Sequence, residues 1–292
     1  MTRHLKGLLM SVFAVVILSP DSVLIRLVEE ASPEVDSWTV LFWRGLLYAV
    51  GVSLLVFMKY GSKTIAEFKN IGKGGLVIGF FSGISTGTFV FAIVYTSIAN
   101  ALVIISTGPI MIAIVAWFLL KEKSSVITWT SMIIVFIGIY IVMSGSFGGK
   151  NLVGDFFALI TAVMMGFTFT LTRKYKHINM VPVNAIGGLI AALIAFVMAN
   201  QISVPAEVVG YIIAMGAILS ISFSLITIAP RYMPAAEVGM IMPLETVLGS
   251  LIAWYFISEV PSTNAIIGGT IVIVTLFLHS WYSTRLAKKQ LS

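Results

Sequence analysis

The sequence predicts an all-α integral membrane protein with ten transmembrane helices, arranged as two inverted five-helix repeats. Three observations predict it. Cut at its polar breaks, the chain leaves ten apolar stretches, at about 5–27, 38–58, 71–93, 99–120, 126–144, 152–172, 182–200, 208–230, 235–257 and 264–283. Each is near the roughly 20 residues that cross a hydrocarbon core of about 30 Å. With the first stretch starting inside and the rest alternating, fifteen of the 18 Lys and Arg fall on one side. Only Lys150 falls in the opposite loops, and Arg26 and Arg44 lie within spans. Positive loops stay cytoplasmic, so both termini are expected in the cytoplasm and the chain in the cytoplasmic membrane. Finally, 59% of residues are hydrophobic and 10% charged, where a soluble domain carries about 25% charged. Lipid is then the solvent, and each span must satisfy its own backbone as a helix or a closed barrel. The apolar runs are continuous rather than alternating, which favours helices.

The elements follow in order. The first stretch is too long for a signal peptide, lacks a small-residue cleavage site and holds Pro20, Asp21 and Arg26, so it is expected to persist as a helix. The second carries Arg44. The third carries Gly75, Gly79, Gly83 and Gly87 at four-residue spacing, a stripe that brings another helix backbone close. The fourth holds Pro109 and ends in Ala116-Trp117; the fifth closes the first half. The Gly-rich loop 145–151 separates residues 1–144 from 152–292. Span 6 opens on Gly154-Asp155 and closes on Arg173, and span 9 holds Glu237, Pro243 and Glu245. Span 10 precedes a basic tail expected in the cytoplasm. The net charge of +6 sits in short loops facing anionic lipid, so the bilayer rather than nucleic acid is the expected partner. Cysteine is absent, which removes disulfides and thiolate metal sites.

The halves echo one another. Ala116-Trp117 with Glu122 recurs as Ala253-Trp254 with Glu259, and Tyr95 and Ala99 match Tyr232 and Ala236 at the same offset. Gly7, Leu24 and Arg26 echo Gly154, Leu171 and Arg173. Five spans per half is an odd number, so the second half enters the membrane inverted, a plan that puts a substrate site near the midplane.

These residues carry a resemblance. Pro109 before Ala116-Trp117-Phe118-Leu119-Leu120-Lys121-Glu122, Leu244-Glu245-Thr246 before Ala253-Trp254 and Glu259, and Gly154-Asp155 with Leu171-Thr172-Arg173 resemble the EamA-type transporters of the drug/metabolite transporter superfamily. The resemblance covers nearly the whole chain. The family pattern has Pro where this chain has Thr246, and Gly where it has Lys121 and Ser258. It implies a central cavity lined by spans 1–4 and 6–9, with spans 5 and 10 peripheral, and a cargo of amino acids, metabolites or drugs, often moved outward.

Ionisable groups at membrane depth cost about 2.5–3.5 kcal/mol each on insertion scales, so each needs a reason. Asp21 and Arg44 lie about six residues below the outer ends of an antiparallel hairpin, roughly 9 Å deep at 1.5 Å per residue. They are expected to pair, either as an outer gate with a substrate carboxylate site at Arg44 or as a structural ion pair. Pro20 frees a carbonyl beside Asp21, and broken backbone at this depth lines cavities. Glu245, near the middle of span 9, is a candidate for binding a proton or a substrate amine. Glu237 is nearer the inner end, and Arg26 is expected to snorkel to the outer interface. Tyr95, Trp43, Ser85, Thr86, Ser106, Thr107, Ser220, Ser222, Ser224 and Thr227 lie on the spans that the resemblance makes cavity-lining. Met164, Met165, Met240 and Met242 could add an adaptable wall. Trp38 and Trp281 suit the interface, and Trp117 and Trp254, deep in their spans, suit packing.

Gly148-Gly149-Lys150-Asn151 lacks the first Gly and final hydroxyl of a phosphate loop, and His4, His177 and His279 are too scattered to argue a metal site. No cofactor is called for, and no nucleophile–base constellation argues for an enzyme. The expectation is a secondary active transporter of a small organic solute, an amino acid or related metabolite, exported by alternating access with protons as a coupling ion. The alternatives are a passive channel or facilitator, or an exporter of drugs or organic cations.

Overall fold

The computed structural model describes residues 3–121, 126–145, 151–175, 177–229, 232 and 241–291. Thirteen α-helices run through them: α1 (Arg3–Leu18), α2 (Asp21–Ala31), α3 (Ser37–Tyr60), α4 (Thr64–Asn70), α5 (Gly72–Tyr95), α6 (Ile98–Ile105), α7 (Gly108–Leu120), α8 (Val126–Ser144), α9 (Asn151–Lys174), α10 (Val181–Met198), α11 (Ala206–Ile228), α12 (Pro243–Ile257) and α13 (Thr263–Leu291). Among the described residues, seven helical stretches are long and apolar enough to cross a membrane: Leu5–Ala31, Ser37–Asn70, Gly72–Tyr95, Ile98–Leu120, Asn151–Lys174, Val181–Met198 and Ala206–Ile228. Trp129–Ser144, Pro243–Ile257 and Thr263–His279 are apolar but shorter.

Two expected spans are broken in the middle. Proline has no N–H and clashes with the preceding turn. Accordingly α1 stops at Leu18 and α2 restarts with Pro20 as its N-cap, while Ser19 Oγ donates back to the Val15 carbonyl at 2.7 Å. Span 4, expected as one helix, parts at Ser106 and Thr107. Their hydroxyls donate to Val103 and Ile104 carbonyls, both at 2.7 Å, and α7 then starts with Pro109 in its first turn. Pro243 opens α12 in the same way.

The matching ends of α7 and α12 adopt a conformation that glycine would suit better than the residues present. Lys121 (φ 53°) and Ser258 (φ 55°) both adopt the left-handed conformation, and their N–H groups reach back to the carbonyls of Ala116 and Ala253. A side chain there costs about 1–2 kcal/mol, partly offset by the entropy a glycine would lose. Lys121→Gly and Ser258→Gly are therefore each expected to stabilise the protein by about 0.5–1 kcal/mol, read as a raised unfolding midpoint in detergent. Ala116 and Ala253 beneath them are buried, whereas Trp117 and Trp254 are exposed on the bundle surface. Trp254 thus faces out of the bundle rather than packing within it, whereas Trp117 still packs edge-on against Trp129 of α8 at 5.3 Å.

Small residues set the helix crossings. A Cβ on Gly45 would lie 2.7 Å from the Gly188 carbonyl oxygen, and one on Gly188 would lie 2.7 Å from that of Gly45, so α3 and α10 touch backbone to backbone. Gly138 of α8 and Gly268 of α13 do the same. Of the glycine stripe on α5, Gly79 and Gly83 face α10 around Gly187; the other two do not. Along α5, the Phe81 ring stacks on Phe167 of α9 at 4.7 Å.

One end of the bundle, here the Ser37 end, gathers several connections. Asp36 caps α3 by accepting the Thr39 N–H at 2.6 Å and also accepts the Asn200 N–H at 3.2 Å. Thr39 Oγ1 donates to the Gln201 carbonyl at 2.6 Å, and Ser32 Oγ to Glu207 at 3.2 Å. At the opposite, Tyr60 end, Asn179 Nδ2 donates to Glu67 at 2.7 Å and to Tyr60 Oη at 3.3 Å. Burial pushes the Asp36 carboxyl up, but the hydrogen bonds from Thr39 and Asn200 outweigh it and hold the group below its ordinary 3.8. A depressed carboxylate stabilises the fold above its unfolded pKa, and that contribution fades as pH falls through the lower folded value. Asp36→Ala is accordingly expected to cost about 1 kcal/mol at neutral pH. The gap from the parent should shrink below pH 4 in an unfolding titration.

Candidate functional site

A cavity of ≈ 130 Å³ lies where the broken helices meet. Its wall takes residues from α1, α2, α3, α5, α6, α9, α10, α11 and α12, together with Met180 and Met242. It takes none from α8 or α13, the helices that correspond to spans 5 and 10.

At its charged edge, Asp21 begins α2 and Arg44 lies two turns into α3. Arg44 Nη2 sits 2.5 Å from Asp21 Oδ2, and Nε sits 3.4 Å from Oδ1. The residues are 3% and 1% exposed. Depth counting along the hairpin put the two level, and they are bonded. The guanidinium also lies over the Phe89 ring at 5.2 Å. Its third nitrogen, Nη1, is buried without a hydrogen-bond partner among the described residues. Such a group pays its desolvation in full unless something docks there. Glu245 lies in the first turn of α12, where the helix dipole favours negative charge, and lines the same cavity. Thr246, where the family has Pro, uses its hydroxyl to reach the Leu102 carbonyl at 3.2 Å and ties α12 to α6.

Among the residues singled out from sequence, Asp21, Arg44, Ser85, Thr86 and Glu245 come together around this cavity, joined by Thr227, Met165 and Met242. Pro20 is the N-cap of α2, beside the wall. Tyr95 and Trp43 do not line it. Tyr95 ends α5, is 46% exposed and stacks on Phe91 and Phe157. Trp43 donates its indole N–H to the Ile202 carbonyl at 2.7 Å. Ser220 is spent on the Gly216 and Tyr48 carbonyls. Glu237 lies outside the described residues.

Sequence reasoning missed Tyr48, Ser82, Asn184, Thr161, Thr168 and Thr172, all cavity-lining. A signal existed for most. Thr161, Met165, Thr168 and Thr172 recur at helical spacing on one face of α9. Asn184 is an amide inside an apolar span; its Nδ2 donates to Thr227 Oγ1 at 3.0 Å and to the Phe223 carbonyl at 3.3 Å.

Beyond the Ser37 edge of the cavity lies a second polar cluster. Arg26 Nε is 3.6 Å from Glu259, and Glu259 accepts the Ile98 N–H at 2.5 Å. Burial pushes the Glu259 carboxyl up, against the pull of the Ile98 N–H and the Arg26 charge. Arg26 turns inward to this cluster rather than out to the interface as the sequence suggested.

Helices interrupted at membrane depth around a charged, hydroxyl-studded cavity define a multi-pass membrane protein of the transporter class. The EamA-like transporter family model matches residues 5–144 and again 152–281. The chain belongs to that family, within the drug/metabolite transporter superfamily. An uncharacterized transporter of Clostridium kluyveri is 29% identical over 218 residues, 65% of this chain and 66% of that one. Another, of Methanothermobacter thermautotrophicus, is 22% identical over 197 residues. The chain thus spans 66% and 57% of the lengths of these relatives. A solved crystal structure superimposes over 96% of this chain and 98% of that chain with a TM-score of 0.67 at 14% identity, a likeness of fold.

Proposed function

We propose that the protein is a secondary active transporter that moves a small organic solute, an amino acid or related metabolite, out across the cytoplasmic membrane by alternating access. The observation that carries this reading is the cavity, whose wall holds both Arg44 and Glu245. An acceptor on the solute, such as a carboxylate, suits the Arg44 guanidinium; an amine suits Glu245. At ≈ 130 Å³ the space is comparable to an engineered cavity of about 150 Å³ that holds benzene. Ser82, Ser85, Thr86, Thr161, Thr168 and Thr172 favour a polar solute over a purely apolar drug. In this reading all ten apolar helices cross the bilayer as two inverted halves, residues 1–144 and 152–292 joined by 145–151. Both termini are cytoplasmic and the Ser37 end faces outward. Protons couple through Glu245 or Asp21.

Counterflow into proteoliposomes preloaded with pooled amino acids and amines, read by mass spectrometry with and without a pH gradient, tests it. Saturable exchange of one or a few zwitterions is the expected result. Exchange of organic cations alone would replace the cargo, non-saturable flux would make the protein a facilitator, and no exchange of any solute would sink the carrier reading.

A further inference from the structure

The cavity leaves Arg26 unused, although a guanidinium near the end of a span is costly. Its side chain is only 17% exposed. Nη2 donates to the Thr96 carbonyl at 2.6 Å and Nη1 to the Val94 carbonyl at 3.2 Å. Nη1 also meets Glu29, on the same helix, at 3.0 Å. Thr96 in turn donates through Oγ1 to Asp155 Oδ1 at 2.7 Å, and Asp155 is fully buried. Gly154 approaches so closely that any Cβ there would collide with the Tyr95–Thr96 backbone. With Glu259 holding the Ile98 N–H, the turn between α5 and α6 is gripped from α2, from the start of α9 and from the end of α12. The grip joins both family-matched segments.

The position of this grip matters for the cavity. The gripped turn leads directly into α6, whose last residue, Ile105, is part of the cavity wall. The wall also includes Thr172 and Met180, near the end of α9 and beside the start of α10, at the opposite pole of the bundle. The network therefore lies beyond the end of the cavity away from those residues. It is built of charged and polar contacts at a partly wet edge, since Glu29 and Glu259 retain 43% and 22% side-chain exposure. Groups released from such a network exchange protein partners for water at small net cost, which an apolar seal could not do. A static packing contact would have no need of that property.

Resting on the carrier reading above, we propose that Arg26, Glu259 and the turn 94–98 form the latch of a gate at the Ser37 end, shut in this conformation, which must release for the cavity to open there. Asp155 anchors the turn from the second half through Thr96. Asp21 and Arg44 lie below the latch and belong to the binding cavity, so the barrier and the site are separate sets of residues.

The absence of cysteine makes the test clean. A single Ile105→Cys reporter in the full chain is labelled with a membrane-impermeant maleimide in right-side-out and in inverted vesicles. The parent is expected to react from the Tyr60 side and slowly from the Ser37 side. Arg26→Ala and Glu259→Gln should each speed labelling from the Ser37 side by at least about tenfold, as loss of one charge-assisted contact shifts a two-state equilibrium by about that factor. Glu34→Gln, an exposed carboxylate at the same end outside the network, should leave the rate unchanged. Should Arg26→Ala fail to reach the membrane folded, Glu259→Gln decides alone. Unchanged Ser37-side labelling in the folded variants overturns the latch, as does a parent labelled faster from the Ser37 side. Counterflow by the unsubstituted protein separates the two readings. Intact exchange with unchanged labelling sinks the latch alone, whereas faster labelling without exchange of any solute sinks the carrier and keeps the latch.

Discussion

Asp21→Ala is expected to destabilise the protein by about 3–5 kcal/mol, because it strands a buried guanidinium without its counter-charge. The size follows from the burial of both partners and the two-pronged contact between them. Removing one partner leaves a charge that neither water nor protein solvates. Arg44→Ala should cost a similar amount by stranding the carboxylate. The double variant Asp21→Ala/Arg44→Met removes both charges and keeps apolar volume near Phe89, so most of the stability should return. Thermal or detergent-titrated unfolding of the purified protein reads all three. Transport separates the roles: the double variant should be folded but inactive. A folded double variant with parental counterflow would show the pair to be a structural fastening only. A double variant as unstable as either single one would mean that the pair is bound into a larger network.

Glu245→Gln is expected to leave the fold intact and reduce counterflow roughly ten- to hundredfold. A hydrogen bond to a charged group is worth about 1.5–3 kcal/mol, and each 1.4 kcal/mol is tenfold in affinity. Glutamine keeps the shape and the hydrogen-bonding capacity but loses the charge that an amine would seek. If the carboxylate also carries the coupling proton, the pH dependence between pH 5 and pH 8 should disappear together with the gradient effect. Parental rates across that range would remove Glu245 from both roles. Because Glu245 lies beside a helix N-terminus and forms one wall of an existing cavity, the substitution adds no volume that the core must absorb.

Much of the architecture was legible because lipid imposes simple rules. Apolar length, the placement of Lys and Arg, and the echo of Ala116-Trp117 in Ala253-Trp254 are each readable without coordinates. Depth counting alone brought Asp21 level with Arg44, since α2 and α3 are joined by a short turn that leaves little freedom. What escaped was orientation. Tyr95 and Trp43 sit on cavity-forming helices but face aside, because a span in a bundle has both lipid and interior faces and an apolar sequence does not mark which is which. Hydrophobic contrast normally supplies that mark, and here it is nearly absent: α5 and α11 carry apolar residues on every face. Only polar residues in register betray the inner face, as the threonines of α9 do. The inward turn of Arg26 was invisible for another reason. Its partners are the carbonyls of Val94 and Thr96, and backbone acceptors leave no trace in a sequence.

The glycine contacts between α3 and α10, and between α8 and α13, limit how the molecule can deform. Each pair joins a helix before the 145–151 connection to one after it, and each meets main chain on main chain at Gly45–Gly188 and Gly138–Gly268. Side chains absorb displacement by changing rotamer, but backbone atoms cannot. Pulling the halves apart would open voids along both seams that nothing can refill, a loss of close packing that cores resist. Tilting one half over the other preserves both contacts. On the proposed carrier reading, the two seams would act as a fulcrum that turns a push exerted inside the cavity into rotation rather than separation.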